Sequence, residues 1–170
     1  MKRLLRVSLS VVLFLGIFFG GSVVNATAKG PKVLKFNSMV GVPAGLTGTQ
    51  SQGPLRGISG GGLPWTIGEA SGELRANGHL EISVQGLVLA AGANAGSNPA
   101  ATFRGLVSCV TSTGSVQNIP TDPFPATTGP ASAGGGNAEI VADLVIPQPC
   151  IAPIIFVTNA NGSWFASTGL

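Results

Sequence analysis

The sequence has little of what catalytic and metal-binding sites are usually built from. It contains one histidine, six acidic residues, two cysteines and no tyrosine in 170 residues. A catalytic triad needs a base that an acid orients and that contacts a nucleophile, and zinc sites need three or four ligands. His79, the single histidine, is therefore the one candidate base of a hydrolase. The sequence predicts no metal or cofactor site.

The surroundings of the ionisable residues favour solvation over catalysis. His79 follows an Asn77-Gly78 turn, so we expect its ring to face solvent. Three acids, Glu81, Glu139 and Asp143, alternate with apolar residues and should point into water. Two more, Glu69 and Glu73, should flank a turn. The pattern does not bring two carboxylates into one cleft, as a glycosidase requires.

The first 28 residues predict a secretory signal peptide. Three basic residues precede an uncharged apolar run over residues 7–24, and Ala26-Thr27-Ala28 supplies a small-residue cleavage site. We expect cleavage after Ala28, with cleavage after Ala26 as the alternative. An uncleaved membrane anchor is the other interpretation of the same run. The predicted organisation is a signal peptide over 1–28 and a single β domain over 29–170.

The charge balance changes once the leader is set aside. The leader holds three basic residues and no acidic ones, which leaves six basic residues against six acidic ones. A formally neutral chain has no basic surface with which to neutralise phosphates, which argues against nucleic-acid binding. The predicted partners are an unidentified extracellular molecule or a second copy of the chain, and no membrane is expected after cleavage.

Short apolar runs between glycine- and proline-rich turns predict an all-β fold. Residues 79–85 alternate strictly, and Asn77-Gly78 before them is typical of a hairpin turn. Further strands are expected at the ranges 33–40, 55–58, 63–67, 71–75, 87–90, 102–111, 115–119, 138–146, 154–158 and 163–168. The run at 154–158 is apolar on both faces, so we expect it to be central. Eight to ten strands favour an antiparallel β-sandwich, Ig-like or jelly-roll-like, with a partly open barrel as the alternative. Ser59–Gly62 is interpreted as a flexible connector.

The two cysteines, Cys109 and Cys150, both lie beyond the predicted leader. A lone pair in an exported protein usually oxidises, and two cysteines allow one intramolecular pairing. The sequence therefore predicts a disulfide, with two free buried thiols as the alternative. No C-x-x-C spacing indicates a redox site.

Trp65 and Trp164 are the candidate ligand-binding residues. An exposed indole ring offers a stacking surface to a sugar or a peptide, whereas a buried one dominates core packing. Trp65 follows a glycine-rich segment and becomes the better binding candidate if it lies on an exposed edge. Core packing is the alternative for both rings.

Several segments resemble a group of uncharacterised secreted bacterial proteins. They are Gly60–Trp65, Gly72–Leu89, Phe124–Ala126 and Pro149–Ile154 with Trp164–Ala166, and the match covers most of residues 33–168. The resemblance implies a secreted domain with Cys109 and Cys150 paired and no known activity. Residues 71–89 also show a weaker similarity to CHRD-type extracellular β domains, whose histidine-containing part has no counterpart here.

These patterns lead to one main functional expectation and two alternatives. We expect a secreted or cell-surface domain without enzymatic activity that serves in interaction or structure. A carbohydrate- or small-ligand-binding module is the first alternative. A hydrolase that uses His79 or a carboxylate pair is the second.

Overall fold

The computed structural model describes residues 30–48 and 54–169, and strands dominate them. The predicted signal peptide and its cleavage site at Ala28 lie outside these residues. The strands are β1 (Lys32–Phe36), β2 (Val40–Gly41), β3 (Trp65–Thr66), β4 (Glu69–Arg75), β5 (His79–Gln85), β6 (Val88–Leu89), β7 (Ser97–Asn98), β8 (Thr102–Val110), β9 (Val116–Pro120), β10 (Phe124–Pro125), β11 (Gly129–Pro130), β12 (Ala138–Asp143), β13 (Ile151–Thr158) and β14 (Trp164–Ser167). Two short 3₁₀ turns, Ala44–Leu46 and Ala131–Ala133, are the helical elements of the described residues.

The first main sheet has four antiparallel strands in the order β1-β4-β5-β12. Its centre is the predicted hairpin, in which the amide of Gly78 donates to the carbonyl of Arg75 and closes the turn between β4 and β5. Leu80, Ile82 and Val84 are buried, and the residues between them face outward. The period of two therefore gives this sheet one apolar and one polar face.

The second main sheet has the order β10-β8-β13-β14-β2, with β9 also paired to β8. Its central strands are buried on both faces, as expected for the apolar run at residues 154–158. The predicted disulfide is confirmed, since Cys109 on β8 is bonded to Cys150 just before β13. It links two neighbouring strands that are 41 residues apart in sequence.

The two sheets pack face to face around one hydrophobic cluster. Gly105 on β8 lies at a close contact between them, because a Cβ placed there would lie 3.1–3.3 Å from methyl groups of Leu80, Ile82 and Ile140. Neither sheet closes into a barrel within the described residues. The all-β prediction and the antiparallel sandwich are thus confirmed, and eight of the strands have four or more residues.

Three local predictions were wrong. Residues 55–58 form a turn closed by a Leu55–Ile58 bridge, with Arg56 at φ 54° and Gly57 at φ 81°, and not a strand. Ser59–Gly62 is no free connector, because the amide of Gly61 donates to the carbonyl of Trp164 and Ser59 accepts from the amide of the same residue. Glycine lets this backbone lie directly on β14.

The third wrong prediction concerns Glu69 and Glu73, which do not flank a turn. They lie on the single continuous strand β4, on the same face. Gly72 lies between them on the inner face of this strand. It is needed there because Phe36 and the backbone of Glu81 pack against the position where a Cβ would stand.

Candidate functional site on the four-stranded sheet

The outer face of the four-stranded sheet collects most of the ionisable groups of the chain. We call it the polar face, defined by the outward residues Lys32, Lys35, Glu69, Ser71, Glu73, Arg75, His79, Glu81, Ser83, Gln85, Glu139, Val141 and Asp143. Five of the six acidic residues lie on it. The central strands of the other sheet are covered on both sides.

One half of the polar face, near the β4–β5 turn, is a network of ion pairs. Glu73 lies between Lys32, whose Nζ is 2.6 Å from its Oε2, and the guanidinium of Arg75. The pKa of Glu73 is lowered, mainly by the hydrogen bond from Lys32. Desolvation raises the pKa, and Arg75 lowers it further. These cations offset the repulsion that Glu73 would otherwise meet from Glu81, its direct neighbour on β5.

His79 is held between two carboxylates in the same half. Its Nδ1 is 2.7 Å from Oδ1 of Asp143, its partner on β12, and its Nε2 is 2.8 Å from Oε1 of Glu81. The hydrogen bond with Asp143, followed by that with Glu81, raises the pKa of His79 above its ordinary value. The ring lies on the outward face of β5, as expected, and the two carboxylates leave it 20% exposed.

For a hydrolase based on His79, the geometry places carboxylates beside both ring nitrogens. A ring whose two nitrogens both pair with carboxylates has no free nitrogen with which to accept a proton from a nucleophile. The nearest hydroxyl on the same strand face, that of Ser83, donates to Glu139 at 2.6 Å. What the arrangement does chemically is to tie β5 to β12 through a charged bridge.

The other half of the polar face is a groove of about 390 Å³. Its polar walls come from the loop after β1 and from the ends of β4 and β5, and they consist of Asn37, Ser38, Glu69, Ser71, Ser83 and Gln85. Among the described residues, the Glu69 carboxylate has no ion pair and the Ser71 and Gln85 side chains make no hydrogen bond. Its apolar lining consists of Met39, which is buried, Ile67, which is partly exposed, and Ala70, whose side chain lies on the core face of β4. The groove therefore presents free hydroxyl, amide and carboxylate groups above an apolar base.

Neither tryptophan lies in this groove. Trp164 is 1% exposed, and Trp65 is 6% exposed and stacks on Phe165 with ring centroids 3.9 Å apart. Trp164 makes an edge contact with Phe156. A ring enclosed in this way has no free face for a ligand, so the interpretation of Trp65 and Trp164 as binding residues is corrected to core packing.

Within the described ranges, no group of three or more His, Cys, Asp or Glu side chains is arranged to hold a metal ion. In the same residues, no helix is long and apolar enough to span a bilayer.

The comparisons with known proteins give no relatives. No protein-family model matches the chain, no curated protein matches it significantly, and the same holds for the solved structures. The resemblance to secreted bacterial proteins and to CHRD-type domains therefore stays a prediction.

Sequence reasoning missed the groove and the His79 bridge for one reason. Both depend on which strands become neighbours, and β12 lies beside β5 although about 55 residues separate them in sequence. The one available signal was the alternation in β4, β5 and β12, which places their polar residues on a shared face once the strands pair.

Proposed function

We propose that the protein is exported and acts outside the cytosol as a non-enzymatic binding domain, and that the polar face is its recognition surface. The observation that carries this proposal is the concentration of five carboxylates, their cationic partners and a polar groove on one open sheet face. The disulfide supports an oxidising compartment, because such bonds persist outside the reducing cytosol. The partner is either an extracellular molecule or a second copy of the chain.

The groove favours a second candidate, the binding of a small hydroxyl-rich molecule such as an oligosaccharide. Ser71, Gln85 and Glu69 offer both donors and acceptors with no internal partner among the described residues. Sugar hydroxyls pair with such groups, and an apolar floor suits the C–H face of a sugar ring. Met39 and Ile67 supply that apolar surface in place of an aromatic ring.

The experiment is isothermal titration of the full chain with a panel of neutral oligosaccharides and with a basic peptide. Heat is a better readout than tryptophan fluorescence here, since both indoles are buried away from the groove. The variant Ser71→Arg fills the groove, and Gln117→Arg adds the same charge to an exposed position of β9 in the other sheet. A folded Ser71→Arg chain should lose binding at least about tenfold, because its side chain occupies the ligand's volume.

Each outcome decides between the candidates. Saturable oligosaccharide binding that is lost in Ser71→Arg and kept in Gln117→Arg supports the groove as a ligand site. Binding of the basic peptide alone, weakened by Glu69→Gln, supports the wider polar face as a protein-binding surface. If Ser71→Arg and Gln117→Arg bind the ligand equally well, the recognition surface does not lie at the groove.

A further inference from the structure

The two edge strands of the four-stranded sheet, β1 and β12, run in opposite directions, and neither has a ladder partner on its outer side among the described residues. In the described part of the chain, β1 pairs only with β4 and β12 pairs only with β5. Just before β12, the amide of Thr127, in the segment after β10, donates to the carbonyl of Asn137, so the start of this edge is partly covered. Each step across β1, β4, β5 and β12 is antiparallel, so β12 runs antiparallel to β1. A copy of the molecule shifted sideways, without being turned over, therefore presents its β1 antiparallel to β12 of its neighbour. An open edge of this kind is a template for pairing with another chain.

The outward side chains of the two edges carry opposite charges. Lys32 and Lys35 lie on β1, whereas Glu139 and Asp143 lie on β12 with the 54% exposed Val141 between them. Lys35 has no ion pair within the described residues, and Glu139 accepts only from the hydroxyl of Ser83. The β12 edge also borders a groove of about 350 Å³ that includes Asp122, which extends the negative charge.

One pairing register brings these groups together. Because of the irregularity in β1, Lys32 and Lys35 are separated by two pairing positions on the neighbouring strand. Lys35 lies opposite Glu73, and Lys32 lies opposite Arg75. If Lys35 lies opposite Glu139 of the neighbour, Lys32 then falls opposite Val141, next to Asp143. A symmetric dimer of two β1 or two β12 edges would instead set like charges against each other, which is unfavourable.

We propose that the β1 edge of one molecule docks against the β12 edge of a second copy, extending the four-stranded sheet from molecule to molecule. Such a head-to-tail contact leaves one free edge of each kind at the two ends, so assembly continues beyond the dimer. This proposal gives the second-copy partner a defined surface. It involves the sheet edges and not the groove.

The test is sedimentation velocity of the full chain and of charge-reversed variants over a range of concentrations. Lys35→Glu and Glu139→Lys should each weaken self-association roughly tenfold, because each puts like charges opposite each other. An equimolar mixture of the two variants should associate more strongly than either alone. In the mixture the introduced glutamate meets the introduced lysine, and the unmodified Lys35 of one variant meets the unmodified Glu139 of the other. Association of the unmodified chain should also weaken with added salt.

Controls separate this contact from other causes of association. Every variant carries the same first 29 residues, so association through that segment is common to all. Val116→Lys places a charge on the exposed β9 edge of the other sheet and should leave association unchanged, whereas Val141→Lys should reduce it. A monomer at all concentrations, or unchanged association in both charge reversals, would overturn the edge contact. Neither result bears on ligand binding in the groove, which is tested separately with Ser71→Arg.

Discussion

His79 and Asp143 face each other across β5 and β12, with the histidine Nδ1 2.7 Å from the aspartate Oδ1. Glu81 contacts the other ring nitrogen. The pair joins the edge strand β12 to a hairpin that lies far before it in sequence. Because the charged form of the imidazole is favoured in the folded chain, the bridge makes stability depend on pH.

Stability should fall as pH rises through the raised pKa of His79. The pKa is above its ordinary value of 6.5 in the folded chain, so the stabilisation is complete below about pH 6.5 and is lost as the folded histidine deprotonates. His79→Gln should remove this slope and lower the free energy of unfolding by about 1 kcal/mol or less at about pH 6. Urea titrations at several pH values measure the free energy of unfolding and its dependence on pH.

Glu139→Gln is the matched control for this prediction. It removes an ionisable group of the same face that bonds Ser83 and not His79. Its unfolding free energy should keep the wild-type slope above about pH 6.5. An unchanged slope in His79→Gln would contradict the assigned bridge.

Removing the disulfide should lower the free energy of unfolding of the sandwich by several kcal/mol. For a separation of 41 residues, loop closure in the unfolded chain corresponds to about 4 kcal/mol. The double variant Cys109→Ala/Cys150→Ala should show a correspondingly lower denaturation midpoint in guanidinium. A loss below about 1 kcal/mol would mean that the cross-link hardly constrains the unfolded chain.

Trp65→Ala should destabilise the fold by about 3–5 kcal/mol, because it empties a buried site and breaks the stack with Phe165. Trp65→Phe should cost clearly less. Leu63→Ala, at a 43% exposed neighbour, is the control and should stay within about 0.5 kcal/mol of wild type. Thermal unfolding ranks the three variants. A Trp65→Ala variant that is as stable as the wild type would contradict core packing and favour a role of this ring in ligand binding.

Gly78→Ala should be more costly than Gly96→Ala. Both glycines have positive φ, 87° and 80°, but a Cβ at Gly78 would collide with the carbonyl oxygen of Leu144, whereas nothing lies within 4 Å at Gly96. Strain alone predicts about 1 kcal/mol for Gly96→Ala, and the collision raises the cost to about 3 kcal/mol for Gly78→Ala. Equal denaturation midpoints would show that the β12 end moves freely away from the turn.

Much of the fold follows from local pattern. The alternation at Leu80, Ile82 and Val84 and the Asn77-Gly78 turn identify the hairpin, and the continuous apolar run at 154–158 identifies a central strand, β13. These signals are local because side-chain period and turn geometry are properties of neighbouring residues.

The candidate site needed information that is not local. Gly60 suggested a flexible connector, yet it is required by the close approach of Leu46 and Val42, and Gly72 is likewise required by Phe36 and the backbone of Glu81. Trp65 and Trp164 gave no sequence signal that separates a binding ring from a core ring, because that depends on whether another segment covers them. Phe165 and the Ser59–Gly62 segment do so here.

The most direct test of the proposed recognition surface is an amide NMR titration with the panel oligosaccharide or basic peptide that gives the strongest heat. We expect shift changes at polar-face positions of β4 and β5, foremost Glu69, Ser71, Ser83 and Gln85, with β13 and β14 unaffected. A set of shifted amides centred on the six-stranded sheet, with β4 and β5 silent, would contradict the assignment of the polar face.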